Sequence, residues 1–348
     1  KSDINKYKDL KDFTGKKIAA QKGTDQEKIA HNEIKDSQVS SLNRLPESIL
    51  ALKSGKVVGT IVEKPVGEAY LKQNPELEFA DVKFNEEKKP TCIAVPKNSP
   101  ILLKHLNQTI DEVNNKNLID KYMNQAAQDM QDDGNFFTKY GSFFIKGIKN
   151  TILISLVGVI LGSILGAFIA LLKINKFKPL SWLASIYIQF LRGTPMLVQV
   201  FIVFFGTTAA LGLDVSALIC GTIALIINSS AYIAEIIRAG INAVDKGQME
   251  AARSLGLNYI QTMKSVIMPQ AIKNILPALG NEFVTLIKES SIVSTIGVGE
   301  IMFNAQVVQG ISFDPFTPLI VAAVLYFILT FALSRIMSLV EGRMKASD

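Results

Sequence analysis

The chain has 348 residues, 48% of them hydrophobic and 20% charged, with a net charge of +6 and a mean hydropathy of +0.26. These values exclude intrinsic disorder, a collagen-like chain and a disulfide scaffold. Residues 1–132 hold 21 Lys and Arg and 20 Asp and Glu, against 16 and 11 in the rest, so a near-neutral water-soluble segment precedes a greasy one.

The chain opens on Lys1 and shows no signal peptide, which reads as a processed or truncated product. KKIAAQKGT (16–24) predicts a strand and a glycine turn, and DQEKIAHNE (25–33) predicts a helix. PESILALKSG (46–55) predicts a helix stopped at Gly55, and VVGTIVEKP (57–65) a second strand. PTCIAVPKNSP (90–100) reads as strand and turn, followed by helices to about Gln128. The alternation is an α/β layer pattern. Unpaired N–H groups at the start of the 25–33 helix suit a carboxylate. The plainer readings are a helix cap for Thr24 and a surface ion pair for Glu63. Cys92 and Cys220 read as small packing residues. No metal site is expected, because His31 and His105 have no second ligand nearby.

The pieces GKKIAAQKGTDQE, LKSGKVVGTIVEKPVGEAYLKQNPEL and CIAVPKNSP resemble the second lobe of extracellular amino-acid-binding proteins of the periplasmic type. The resemblance implies an incomplete α/β periplasmic-binding-protein-like lobe over 1–132. Residues 13–92 would form one lobe and 93–128 a returning piece of the other. It also implies that Gly23, Thr24 and Asp25 receive a substrate carboxylate, that Glu63 takes the ammonium where the family more often has Asp, and that Gln21 adds a side-chain contact. Most of the first lobe is missing, so the soluble half is expected to be a fragment.

Residues 133–147 place Phe136, Phe137, Tyr140, Phe143 and Phe144 close together, the pattern of an interfacial aromatic belt and linker. Uncharged runs at Thr151–Leu172, Gly193–Leu213, Val215–Ala234 and Thr317–Ser334 are each about long enough to cross a bilayer. Residues 271–310 are more polar. Basic loops decide their case: Lys173, Lys176 and Lys178 follow the first span, and Arg238, Lys246, Arg253, Lys264 and Lys273 follow the third. Arg335, Arg343 and Lys345 follow the last, whereas 289–316 hold no Lys or Arg. The alternation is complete only with five spans, N-terminus outside and C-terminus inside. Arg192-Gly193-Thr194-Pro195 predicts a bend or gate near the start of the second span.

Asn228, Tyr232 and Glu235 share one face of the third span, and Glu282, Thr285 and Glu289 one face of the fourth. Two readings stand open: a substrate path near the midplane, or polar glue between helices.

The cytoplasmic loop between the third and fourth spans, 247–273, reads GQMEAARSLGLNYIQTMKSVIMPQAIK. Glu250-Ala251-Ala252, then Gly256, Val266, Met268 and Pro269, keep the spacing of the EAA signature of ATP-binding-cassette importer membrane subunits. Ala251, Ala252 and Gly256 suggest a low-profile helix face, Glu250 a first-turn carboxylate, and Pro269 the end of the segment. NTILISLVGVILG, FLRGTPMLVQVF, INSSAYIAEIIRAGI and LIKESSIVSTIGVGE extend the resemblance to the polar-amino-acid branch over nearly all of 134–345.

The resemblance implies an all-α five-helix type I importer transmembrane domain over 148–345, with a coupling helix at about 247–263. It implies a bacterial plasma-membrane subunit that imports polar amino acids, glutamine or glutamate first, then arginine, lysine or histidine. Implied partners are two ATPase subunits and a second permease copy or relative, with lipid and the amino acid but no nucleic acid. No G-x-x-x-x-G-K-[ST] occurs, so this chain is expected to bind no cofactor and ATP-Mg to sit on the partner ATPase. No nucleophile–base pair supports an enzyme. The alternative is a ligand-gated channel with a binding-protein-like ectodomain, which would need a pore loop the sequence does not show.

Overall fold

The computed structural model describes residues 6–84, 92–122, 125 and 135–345. Two compact units emerge, one of Lys1–Tyr140 with Gln309–Phe316, the other of Gly141–Val308 with Thr317–Asp348.

The first unit is built on a parallel three-stranded sheet of order β2-β1-β3, with β1 at Lys17–Gln21, β2 at Gln38–Leu42 and β3 at Gly59–Thr60. Ile18, Ala19 and Ala20 are buried in succession, as a central parallel strand requires. Helix α1 (Asp25–Glu33) leads from β1 to β2, α2 (Leu45–Lys53) from β2 to β3, and α3 (Lys64–Gln73) follows. Gly23 and Gly55 both take positive φ at the turns the sequence predicts.

The two later strand expectations are corrected. The 57–65 strand shrinks to Gly59–Thr60, because it lies at a sheet edge with β1 as its neighbour and Pro65 opens α3. Residues 92–96 carry no strand, and 90–91 lie outside the described residues. An extended stretch becomes a strand only where a partner presents its own ladder. The sequence reading missed β2, whose QVSSL has little β-branched content and sits at the other edge. Helix α4 (Pro100–Asn115) follows, and the end of the predicted helical stretch near Gln128 lies outside the described residues. Cys92 is exposed, contrary to its packing assignment, whereas Cys220 is buried.

The second unit is helical. Helix α5 runs from Phe136 to Ile174, so the described part of the 133–147 linker is the first turns of the first span. Next come α6 (Lys178–Gly193), α7 (Met196–Leu211), α8 (Ala217–Asn242), α9 (Lys246–Ser254) and α10 (Tyr259–Thr262). A π-turn at Met263–Ile267 leads into α11 (Met268–Glu289), a 3-10 turn at Ser290–Ile296, α12 (Ile301–Ser312) and α13 (Thr317–Lys345). Among the described residues three helices, α5, α8 and α13, are long and apolar enough to cross a membrane, and up to five crossings result if each bent pair is one span. The second predicted span is such a pair, α6 and α7 meeting at 107°, so it is two helices rather than one run from Gly193. Thr194 and Pro195 sit at the break, since proline cannot donate to the preceding turn.

Small residues set the helix crossings. A Cβ on Gly166 of α5 would meet Ser230 O of α8 at 2.8 Å, and one on Gly240 of α8 would meet Ile275 of α11 at 2.4 Å. Helices α8 and α11 are thereby held face to face.

Candidate functional site

In the first unit the chain leaves β1 through Gln21, Gly23, Thr24 and Asp25 and leaves β3 toward Glu63. These are neighbouring parallel strands, and Ile61 N continues their pairing to Ala19 O. The chain order reverses at β1, so both loops open at the switch point where open α/β sheets offer a ligand crevice. Thr24 is the N-cap of α1: its Oγ1 accepts from Glu27 N at 3.4 Å and donates to Gln21 O at 2.6 Å. Asp25 pairs with Lys28 at 2.8 Å. Glu63 is the exposed N-cap residue of α3 and makes no side-chain cap bond.

Glu27 is a residue that the sequence reading passed over. Its Oε2 accepts from Gly23 N at 2.6 Å, so the chain's own carboxylate meets one of the amides expected to bind a ligand carboxylate. Hydrogen bonds from the Ser41 hydroxyl and the Gly23 amide hold Glu27 below the usual carboxylate range. The pattern Thr-x-x-Glu at a helix start was the available signal. A cavity of about 950 Å³ in this unit is lined by Phe13, Ile18, Ile34, Tyr70, Phe79 and Val82, among others, and not by Gln21, Thr24 or Glu63.

In the helical unit, α8 and α11 carry the two polar stripes and pack on each other. Asn228 is buried and donates through Nδ2 to Gln199 Oε1 at 2.9 Å. Tyr232 lies under the Arg192 guanidinium, 5.3 Å from the ring centre. Glu235 is paired with Lys173 of α5 and with Arg238, the latter at 2.8 Å. On α11, Glu282 is buried on the stripe that also carries Ala271, Ile275 and Leu286. Thr285 Oγ1 donates to Asn281 O at 3.1 Å, and Glu289 is half-buried. Among the described residues no hydrogen bond joins one stripe to the other. The structure thus gives the α8 stripe partners on α5, α6 and α7.

Gln199 completes the break that the sequence reading placed at 192–195. Its Nε2 donates to Leu191 O at 2.7 Å, Thr194 O at 3.1 Å and Thr194 Oγ1 at 2.9 Å. An amide three residues inside an apolar helix was the only signal.

The 247–263 segment is two short helices, α9 and α10, and three readings there are corrected. Glu250 is the fifth residue of α9, beyond its first turn; the acid at the helix start is Asp245, which accepts from Gly247 N at 2.7 Å. Gly256 is not on a helix face. It follows α9 with φ +87, Gly256 N bonding to Arg253 O and Leu257 N to Ala252 O, the bond pair of a Schellman stop. Pro269 does not end the segment, because it is the second residue of α11, where its missing N–H is tolerated. Ala252 is buried against the rest of the unit, while Glu250 and Ala251 are exposed. Leu255, Tyr259 and Ile260 are 83%, 56% and 75% exposed, an apolar face uncovered by the described residues.

Residues 158–346 match the family described as binding-protein-dependent transport system inner membrane component. The arginine transport system permease protein ArtQ of Bacillus subtilis (strain 168) is 44% identical over 206 residues, 59% of this chain and 94% of that protein. The probable glutamine ABC transporter permease protein GlnM of the same organism is 41% identical over 206 residues, 59% of this chain and 95% of that protein. Among solved structures, a chain of an amino acid ABC transporter crystallised with histidines is 47% identical with a TM-score of 0.58, covering 60% of this chain and 99% of that one.

Proposed function

This chain belongs to the family of binding-protein-dependent transport system inner membrane components, and from that premise we propose that it is the membrane subunit of an ATP-driven importer of polar amino acids. The observation that carries this reading is the match of its helical half, along 94% of the relative's length, to an arginine permease. The exposed Leu255, Tyr259 and Ile260 support α9 and α10 as the seat of a partner ATPase, with Glu250, Ala251, Ala252 and Gly256 shaping that loop. Two ATPase chains would carry ATP-Mg, and a second permease copy or relative would close the path, as five spans are too few alone.

The soluble half is proposed as an external binding lobe. Its support is that Gln21, Gly23, Thr24, Asp25 and Glu63 lie at or just beyond the C-terminal ends of the neighbouring strands β1 and β3. An amino acid there would put its carboxylate at the α1 start and its ammonium at Glu63. Within the helices, Glu282, Thr285 and Glu289 on α11 are proposed to line the path, together with Asn228 and Tyr232. Glu235 would close its cytoplasmic end through the Lys173 pair. The N-terminal half then lies outside a bacterial plasma membrane and the C-terminus inside.

The test is uptake of labelled amino acids into vesicles that hold the chain with its ATPase. ATP-dependent uptake of glutamine, glutamate or arginine is expected. ATP-independent ion current without amino-acid uptake would overturn the reading in favour of a channel.

A further inference from the structure

The interruption of the fourth span after Ile296 leaves the first three N–H groups of α12 outside intrahelical pairing, and each finds a side chain. Ile301 N donates to Thr151 Oγ1 at 3.3 Å, Met302 N to Glu300 Oε2 at 2.9 Å, and Phe303 N to Glu300 Oε1 at 2.6 Å. The Gly299 carbonyl accepts from Asn150 Nδ2 at 2.7 Å and from Asn304 Nδ2 at 2.9 Å. Unpaired backbone groups are costly away from water, so a break at this place needs such partners. The backbones also approach closely: a Cβ on Gly147 of α5 would lie 2.9 Å from Ile301 Cα.

Glu300 is fully buried and does more than cap. Its Oε2 also accepts the hydroxyl of Tyr326 on α13. Capping needs only the two amide bonds, and the tyrosine is a tie to another helix that capping does not require.

We infer, on the transport reading above, that Glu300 and Tyr326 form the joint through which displacement of the fourth span reaches α13. Helical structure runs from Tyr259, in the exposed loop, to Ile296, so a push on α10 travels along one rod. The rod stops at Gly297, whose φ of +88 ends the 3-10 turn. Past that stop, Thr151 and Asn150 hold the chain to α5, and Glu300 holds it to α13. Both members of the pair are positioning residues: they act through the helices they join and touch no substrate in this scheme.

The test uses the full chain with its ATPase in vesicles, comparing wild type, Tyr326→Phe and Glu300→Gln. Tyr326→Phe removes the tie and keeps both capping bonds. It is expected to melt somewhat lower, because the buried Glu300 carboxylate loses a donor, but to keep ATP hydrolysis in the folded fraction and to lose about tenfold in amino acid taken up per ATP, the size of a typical coupling loss. Wild-type uptake per ATP in Tyr326→Phe overturns the joint. So does a Glu300→Gln defect confined to folded yield while Tyr326→Phe behaves normally, which would leave Glu300 a cap and nothing more. A wild-type complex that takes up no amino acid overturns the transport reading instead. The joint is then read from spin-label distances between α9 and α13 with and without ATP: a nucleotide-driven change lost in Tyr326→Phe supports it, and one retained overturns it.

Discussion

Gln199 and Asn228 are joined amide to amide between α7 and α8: Asn228 Nδ2 donates to Gln199 Oε1 at 2.9 Å, while Gln199 Nε2 donates to Leu191 O and Thr194 O at the break between α6 and α7. One side chain therefore both closes the carbonyls that Pro195 leaves open and fixes the break to α8. Replacing Gln199 by Leu strands buried acceptors, each at a cost of about 1–3 kcal/mol. The Gln199→Leu protein should melt lower in detergent. Adding Asn228→Ala should then cost less than it does in the wild type, by about 0.5 kcal/mol or more. Strict additivity would dissolve the link.

The contact of α5 with α8 depends on the absence of a side chain at Gly166, where Ser230 O and Ile233 leave no room for a Cβ. Gly166→Leu is expected to destabilise by about 1–3 kcal/mol through overpacking. Gly206→Ala serves as the control, since nothing lies within 4 Å of a Cβ there. Equal melting temperatures for the two variants would count against this packing account.

At Gly256 the requirement is conformational. Nothing lies within 4 Å of a Cβ, yet φ is +87. Alanine should therefore cost about 1 kcal/mol, and asparagine, which tolerates the left-handed region, distinctly less. Capture of the partner ATPase by the three proteins, compared side by side, should rank glycine first, asparagine second and alanine third. A ranking by side-chain size instead would return Gly256 to a steric role.

Glu27 gives the first unit a pH dependence with a definite sign. Its carboxyl is held below the usual range by Ser41 and Gly23, so the contribution is present above that range and lost as pH falls through the lowered value. Rate-corrected hydrogen exchange over residues 22–30 of the full chain should rise on acidification in the wild type. In Glu27→Gln it should start higher and change little. An identical acid response in both would remove Glu27 from the helix start. Glu27→Ala should also change amino-acid affinity if the Gly23 amide meets a ligand, and unchanged affinity would argue against that use.

Much of the fold was legible in advance. The helix at Asp25–Glu33 and the turns at Gly23 and Gly55 followed from capping chemistry and glycine placement, which act over a few neighbouring residues. The edge strands were legible only in part: the one at Gly59–Thr60 was read too long and the one at Gln38–Leu42 was missed, because both take their extent from pairing with β1. Among site residues, the stripes on α8 and α11 came from spacing alone, whereas Glu27, Gln199 and Glu300 needed their partners to be seen.

The sequence by itself determined that a charge-rich segment of alternating strands and helices precedes a set of apolar helices, and that an EAA-like segment lies between α8 and α11. Run length, charge and helical period are properties of a short window, and a window can be read without a fold. Only the tertiary structure decided which polar groups inside the helices are already paired. Asn228 meets Gln199 across 29 positions and Tyr326 meets Glu300 across 26. Such pairings arise where helices cross, and an amphipathic pattern carries no record of them.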